Sequence, residues 1–294
     1  MRTLAVSLLL VMLASCVSPA PPPIPLKPVR CLVLNEVAVV DTLADGSGGL
    51  ARVATVRQRL DEEGPVLFVL AGDALRPNGA GQAHGGREMV EILNLAGLDY
   101  ATFGDHAFDL GVDTLVARIA ESEFTWISSN CRRPDGTAFP KVLPWDTVRV
   151  WGQKVGLFGL TLQGEYPGRV RCSNPDNEAH RAIETLTSEG AELIVAITHQ
   201  RMDADRNLLG RESKLDLILG GHDSAAQDSV ISGRHAVKGD ANARSVQFVT
   251  LWGGKGSWRQ AVGLVRIDAR IPGDTAVSRA IARWNDRLQQ RPGP

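Results

Sequence analysis

Five apolar runs in this chain end in an acid or an imidazole: LVLNE at Glu36, LFVLAGD at Asp73, YATFGDH at Asp105 and His106, IVAITH at His199, and LILGGH at His222. The chain holds only six histidines, yet His106 lies directly after Asp105 and is followed by a further carboxylate, Asp109. A single strand-end Asp is commonplace, as is a core histidine bonded to backbone. Five apolar runs all closing on Asp, Glu or His are not, and three of them are introduced by glycine. In α/β sheets ligands bind beyond the carboxyl ends of the strands, so these side chains are expected to converge on one edge. Two imidazoles and three carboxylates suit a divalent transition metal such as Zn, Mn or Fe. Gly72, Gly104, Gly220 and Gly221 fit sharp turns or backbone crowding beside bound ions.

The elements that must position these groups follow from hydrophobic period. CLVL, VLFVL, DYATFGD, FTWISSN, KVGLFGL, ELIVAITH and LDLILGGH read as buried strands. GLARVATVRQRLDEE, the stretch around Arg87–Leu95, DTLVARIAES and AHRAIETLTSEG read as helices between them. Strands separated by helices indicate βαβ units and a largely parallel sheet. HAVKG, SVQFVTLW and AVGLVRID are expected to form an added antiparallel set, and DTAVSRAIARWNDRLQQ a closing helix.

The 294 residues, 44% hydrophobic and 22% charged with a formal net charge of −1, are those of a globular protein. No basic excess exists to neutralise a phosphate polymer, so no nucleic-acid partner is expected. One Arg precedes the apolar run Leu4–Leu13, which is too short to span a bilayer and typical of a secretory leader. Leu13-Ala14-Ser15-Cys16 resembles a lipobox. Residues 1–15 are therefore expected to be a lipoprotein signal peptide, Cys16 the acylated first residue, 16–30 a proline-stiffened linker, and 31–294 the folded domain. This places the protein outside the cytoplasm, anchored by lipid to the inner or outer membrane and facing the periplasm. Cys31, Cys131 and Cys172 would remain besides Cys16. The odd count excludes full pairing and permits one disulfide, between a pair the sequence leaves open.

GGLARVATVRQRL, LAGDALRP, DYATFGDHAFDLG, IVAITH and LILGGHDS together resemble the calcineurin-like metallophosphoesterases. The likeness is strongest to the catalytic domain of the bacterial 5′-nucleotidases, without their C-terminal nucleotide-binding domain. The resemblance implies a four-layer αββα sandwich with two mixed sheets flanked by helices. It also implies hydrolysis of a small, nucleotide-like phosphoester by a metal-activated water. Position by position, Asp73 matches the metal-bridging carboxylate. Asp105, His199 and His222 match ligands of one metal, with Asp105 standing where the family has Asn. His106 matches the histidine acting on the phosphate or leaving group, and Asp109 its orienting partner.

Two motifs depart from that pattern. Asn35-Glu36-Val37-Ala38 stands where relatives have Asp-x-His, so Glu36 retains a donor and Ala38 offers none. His222-Asp223-Ser224 stands where relatives end in His or Gln, leaving Ser224 as a weak ligand or Asp223 as a substitute. One tightly held ion is expected, with the second weakened or missing. The alternative is a catalytically degenerate, membrane-anchored metal-binding or scaffold protein. His84 and the polar turn KGDANAR (Lys238–Arg244) are expected to be solvated, His180 and His235 structural or exposed, and Trp126, Trp145 and Trp151 core or sheet-face residues. No Gly-x-Ser-x-Gly elbow, dinucleotide fingerprint or P-loop occurs.

Overall fold

The computed structural model describes residues 27–76 and 84–290. The leader, Cys16 and most of the proline segment lie outside the described residues. The first strand, β1 (Val29–Leu34), reaches two residues into the stretch assigned to the linker.

Two sheets form the centre. The first contains β1, β2 (Val66–Ala71), β3 (Tyr100–Thr102), β4 (Thr125–Ile127) and β6 (Val142–Leu143) in parallel. A short strand, β5 (Cys131–Arg132), precedes β6 outside this sheet. The second sheet contains β7 (Trp145–Val150) and β8 (Gln153–Thr161), then β11 (Leu193–His199), β12 (Leu217–Gly220), β13 (Gln227–Ile231) and β14 (Arg234–Lys238). Of these, β8, β11, β12 and β14 run parallel, with β7 and β13 antiparallel at the edges. The hairpin β15 (Ser245–Gly254) and β16 (Ser257–Arg266) completes the first sheet beside β1. A three-stranded sheet joins β5 to β9 (Gly164–Tyr166) and β10 (Val170–Cys172).

Three apolar layers separate the structural layers, as a four-layer sandwich requires. Along β1, Leu32 and Leu34 face one core while Cys31 and Val33 face another, because alternate strand residues point to opposite sides. The Leu32 side packs under α1 (Leu50–Glu62), α2 (Arg87–Leu95), α3 (Val112–Glu121) and α6 (Thr275–Gln289). The Cys31 side meets Val195, Leu217 and Val237 of the second sheet. Beyond that sheet, Phe158, Ala196 and Ile218 pack under α4 (Pro175–Ser188) and α5 (Met202–Arg211). Burial on both faces is why these strands read as unbroken apolar runs. Helix α4 shows its local logic clearly: Pro175 is preset for the first turn, and the Asn174 side chain accepts from the amides of Asp176 and Asn177.

One expected grouping is corrected. HAVKG does not join the antiparallel hairpin; as β14 it lies parallel to β12 in the other sheet. Ala236 and Val237 are covered on opposite faces, which demands an interior place between layers. Among the described residues no helix is long and apolar enough to cross a membrane.

Cys131 and Cys172 form the disulfide, tying β5 to β10, and Cys31 is a buried free thiol pushed up to about 12, chiefly by burial. Closing a loop of this separation, 41 residues, contributes about 4 kcal/mol in the chain-entropy picture.

Candidate metal centre and active site

The parallel register brings the chemistry to one rim. Leu34 pairs with Leu70 and Ala71 with Thr102, so Glu36, Asp73 and Asp105 emerge from neighbouring strand ends of the first sheet. Thr198 pairs with Gly220, so His199 and His222 emerge from neighbouring ends of the second. The carboxylates come from one sheet and the imidazoles from the other.

At the junction His199 is wholly buried, with Nδ1 2.8 Å from the Ala71 carbonyl of the opposite sheet. A carbonyl only accepts, so Nδ1 carries the hydrogen, and Nε2 faces Asp105 Oδ1 at 3.0 Å and Asp73 Oδ2 at 3.4 Å. His222 Nδ1 lies 3.6 Å from Asp105 Oδ1. Two overlapping triads result, Asp73/Asp105/His199 and Glu36/His199/His222, each with donor atoms within 4.8 Å of one another. Both share His199.

The electrostatics match a cation site. Burial depresses the His199 pKa, but the ring's hydrogen bonds to Asp105 and Asp73 outweigh it and push it up to about 10. Asp105 is held well below the carboxylate range by its bonds to His199 and His222. Asp73 also falls below it: burial pushes it up, and the His199 bond more than compensates. Hard oxygens and the His199 Nε2 converge, and a bound divalent ion would take the place of the Nε2 proton, so the donor set fits one such ion.

Backbone strain concentrates here. Glu36, Asp73 and His222 have φ of 45°, 57° and 75°, a region that costs non-glycine residues energy and is retained where the surroundings over-determine it. Gly72 and Gly104 are fixed by crowding instead. A Cβ on Gly72 would fall on the His199 ring, and one on Gly104 on Asp73 Oδ1.

At the rim, His106 Nδ1 is 2.7 Å from Asp109 Oδ2, and Nε2 is 3.9 Å from Asp105 Oδ2. The ring is about half exposed, and the His106 amide donates to Asp73 Oδ1. Asp109 therefore orients the ring while its other nitrogen faces the cluster. The Tyr166 ring packs on Phe108 nearby. Its hydroxyl is pushed up to about 12 by burial and by Asp105 and Asp73.

The altered motifs have definite places. Ser224 Oγ donates to Glu36 Oε2 at 2.7 Å. Ala38 offers only its amide, which donates to Asn242. Asp223 is not turned to the cluster: Oδ2 accepts from the Met202 amide and from Lys238. Asn35 braces the His222 loop, accepting from the His222 amide and donating to the Asp223 and Gly239 carbonyls.

Lys238 corrects the reading of KGDANAR as a solvated turn. It is fully buried, and Nζ reaches the Gln200 carbonyl at 2.5 Å, the Gly221 carbonyl at 2.8 Å, Asp223 at 2.8 Å and Asp205 at 3.1 Å. It thereby ties the residue after His199 to the residue before His222. Arg244 does stay at the surface, paired with Asp45. His84 is not a solvated loop residue either; its ring packs 4.7 Å from that of Trp284. Trp126 is core, whereas Trp151 is exposed under Lys27. His180 is exposed beside Glu184 and Glu212, and His235 pairs with Asp228. Arg76, which lies in LAGDALRP but to which the resemblance gives no role, donates to Asp73 Oδ2 at 3.0 Å. Its signal was a lone Arg three residues beyond a strand-end Asp.

Comparison with known proteins finds 5′-nucleotidases among the similar chains. Snake venom 5′-nucleotidase of Gloydius brevicauda is 30% identical over 193 residues, 60% of this chain and 32% of that protein. Rat 5′-nucleotidase is 28% identical over 186 residues, with the same coverage. Over these stretches the chain is similar to 5′-nucleotidases. No protein-family model matches it. Among solved structures, the metallophosphoesterase fold is shared with a 5′-nucleotidase precursor of Thermus thermophilus. That likeness has a TM-score of 0.80 at 19% identity and covers 90% of this chain and 59% of that one. A calcineurin-like phosphoesterase of Bacillus subtilis gives 0.76 at 19% identity, covering 89% of this chain and 97% of that one. The chain spans about a third of the length of the curated nucleotidases it matches.

Proposed function

We propose that this chain is a metal-dependent phosphohydrolase acting on a small, nucleotide-like phosphoester. Asp73, Asp105, His199 and His222 would hold one divalent ion (Zn, Mn or Fe), with Glu36 at the margin of a weakened second position. The carrying observation is the meeting of Asp73, Asp105 and His199 below an oriented His106–Asp109 pair. When bound, such an ion supplies Lewis acidity and lowers the pKa of coordinated water towards neutrality. The chain's own residues do the rest. His199, with Nδ1 fixed on Ala71, offers Nε2 without reorganising. Asp73 is pinned by the His106 amide. His106, aligned by Asp109, is placed to donate a proton or a hydrogen bond to the departing ester oxygen.

A screen of small phosphoesters with Mn, Zn, Co and Mg tests this reading. His106→Gln is expected to lower kcat roughly 100- to 10,000-fold with metal content unchanged. Wild-type rates in that variant would remove His106 from the mechanism. The contact between Ser224 and Glu36 favours a second reading, a metal-holding protein without catalysis; it prevails if no ester turns over with any of the four ions. We further propose export and lipid anchoring through Cys16, supported by the Cys131–Cys172 disulfide, which belongs in an oxidising compartment. Metabolic labelling with a fatty acid, abolished by Cys16→Ala, is the check.

A further inference from the structure

We propose that Arg76 is the second cation of this centre: its guanidinium sits against Asp73 and presents its free N–H groups to the phosphoryl group of the substrate. The proposal rests on the phosphohydrolase reading above and gives a role to a residue that the resemblance left without one.

A second metal ion finds few donors here. Ala38 has none, Ser224 is spent on Glu36, and Asp223 is committed to Lys238 and the Met202 amide. Asp73 itself is nearly used up. Oδ1 accepts from the His106 amide at 3.1 Å, while Oδ2 faces His199 on one side and Arg76 at 3.0 Å on the other. With the Asp73 side chain only 1% exposed, an ion seated on that last flank would have to displace the Arg76 guanidinium. Asp73 therefore has no free flank for a second ion to bridge, and Arg76 holds that place.

Charge leads to the same assignment. Asp73, Asp105 and Glu36 carry three negative charges; one divalent ion and one guanidinium balance them. Of the lysines and arginines among the described residues, Arg76 is the one that ion-pairs with a candidate ligand. Lys238, the other cation beneath the rim, is sealed and spends its ammonium on four oxygens. Arg76 differs on both counts. Its side chain is 29% exposed, and the Asp73 contact engages Nη2 alone. The remaining N–H groups form a planar fork whose spacing matches two oxygens of a phosphate. Lying three residues after Asp73, Arg76 is held at the rim by the same ion pair that orients it.

The test is calorimetric and needs no turnover. Wild type, Arg76→Gln and Arg76→Lys are loaded with Mn and titrated with inorganic phosphate, and bound Mn is counted in each. One Mn per chain is expected in all three, which also reports an intact fold. Phosphate affinity should fall roughly 10- to 100-fold in the Gln variant, with part of the loss recovered by Lys. Unchanged phosphate affinity in the Gln variant overturns the proposal and leaves the hydrolase reading standing. Two tightly held Mn in wild type also overturns it. A wild-type chain that takes up none of Mn, Zn, Co and Mg overturns both.

Discussion

The two sheets share one device at their N-terminal edges and part company at their C-terminal edges. Before β3, Asp99 accepts from the Phe68 amide at 2.8 Å while its own amide donates to the Phe68 carbonyl. Before β12, Asp216 does the same with Ile194, also at 2.8 Å. Each aspartate pins two parallel strands where they begin. At the other edge the first sheet ends in Glu36, Asp73 and Asp105, and the second in His199 and His222. The first sheet thus supplies charge and the second supplies directional nitrogen. Support differs too. The imidazole side is braced from beneath by buried Lys238 and beside it by Asn35, whereas the carboxylate side has Arg76 at an open rim. Two of the departures from the resembled pattern, Ala38 and Ser224, fall beside Glu36, whose carboxylate is held by the Ser224 hydroxyl and by no buried cation.

Breaking the brace should have the largest effect. Lys238→Met strands Asp205 as a buried carboxylate without its cation, takes the ion-pair partner from half-buried Asp223, and frees the Gln200 and Gly221 carbonyls. The expected loss is about 3–5 kcal/mol, read as a lower denaturation midpoint, with metal affinity falling alongside. If stability holds, the two histidine loops are positioned by something else.

Next come the ligands themselves. If the second sheet provides direction and the first provides charge, His199→Ala should weaken metal binding by on the order of 100-fold or more. Asp105→Asn keeps an oxygen in place and should cost only about 10-fold. Equal losses in competition with a chelator would erase the distinction between the sheets.

The smallest effect tests the shared device. Burial pushes Asp216 up to about 6, partly opposed by the Ile194 amide and Arg234, so the fold favours its protonated form. The folded state then binds more protons than the unfolded one between about pH 4 and 6, and stability falls as pH rises through that window. Asp216→Asn keeps an acceptor for Ile194 and removes the penalty. It should gain up to about 3 kcal/mol over wild type at pH 8 and nothing near pH 3, as chemical denaturation at the two pH values would show. Asp99 is also raised by burial, with the Phe68 amide and Arg57 opposing. The corresponding Asn variant should respond in the same direction.

Much of this layout was legible in the sequence because a doubly covered strand leaves an unbroken apolar run, and because Asp and His at its end have few other reasons to be there. Cores on both sides of β1, β2 and β11 produced the first signal, and the carboxyl-end rule the second. Arg76 and Lys238 escaped for a tertiary reason. Their types and neighbours suggest solvated cations, and only the fold reveals that one rests on Asp73 and the other lies under two loops. Strand β14 was misplaced because five residues cannot specify which sheet they join. Helix α5 went unread because its buried residues, Asp205, Leu208 and Leu209, form too narrow a stripe for a period to show. The disulfide partners, 41 residues apart, come together only through the three-stranded sheet.

The crowding at Gly72 and Gly104 has an evolutionary corollary. Every reactive group of the rim can be exchanged for a neighbour in chemical kind, as Glu36 and Asp105 already illustrate, and the centre drifts in metal preference without losing its shape. The two positions with no side chain have no such latitude, since a single added carbon would wedge the sheets apart at their seam. In a lineage descending from this chain, those two empty spaces would be the slowest characters to change.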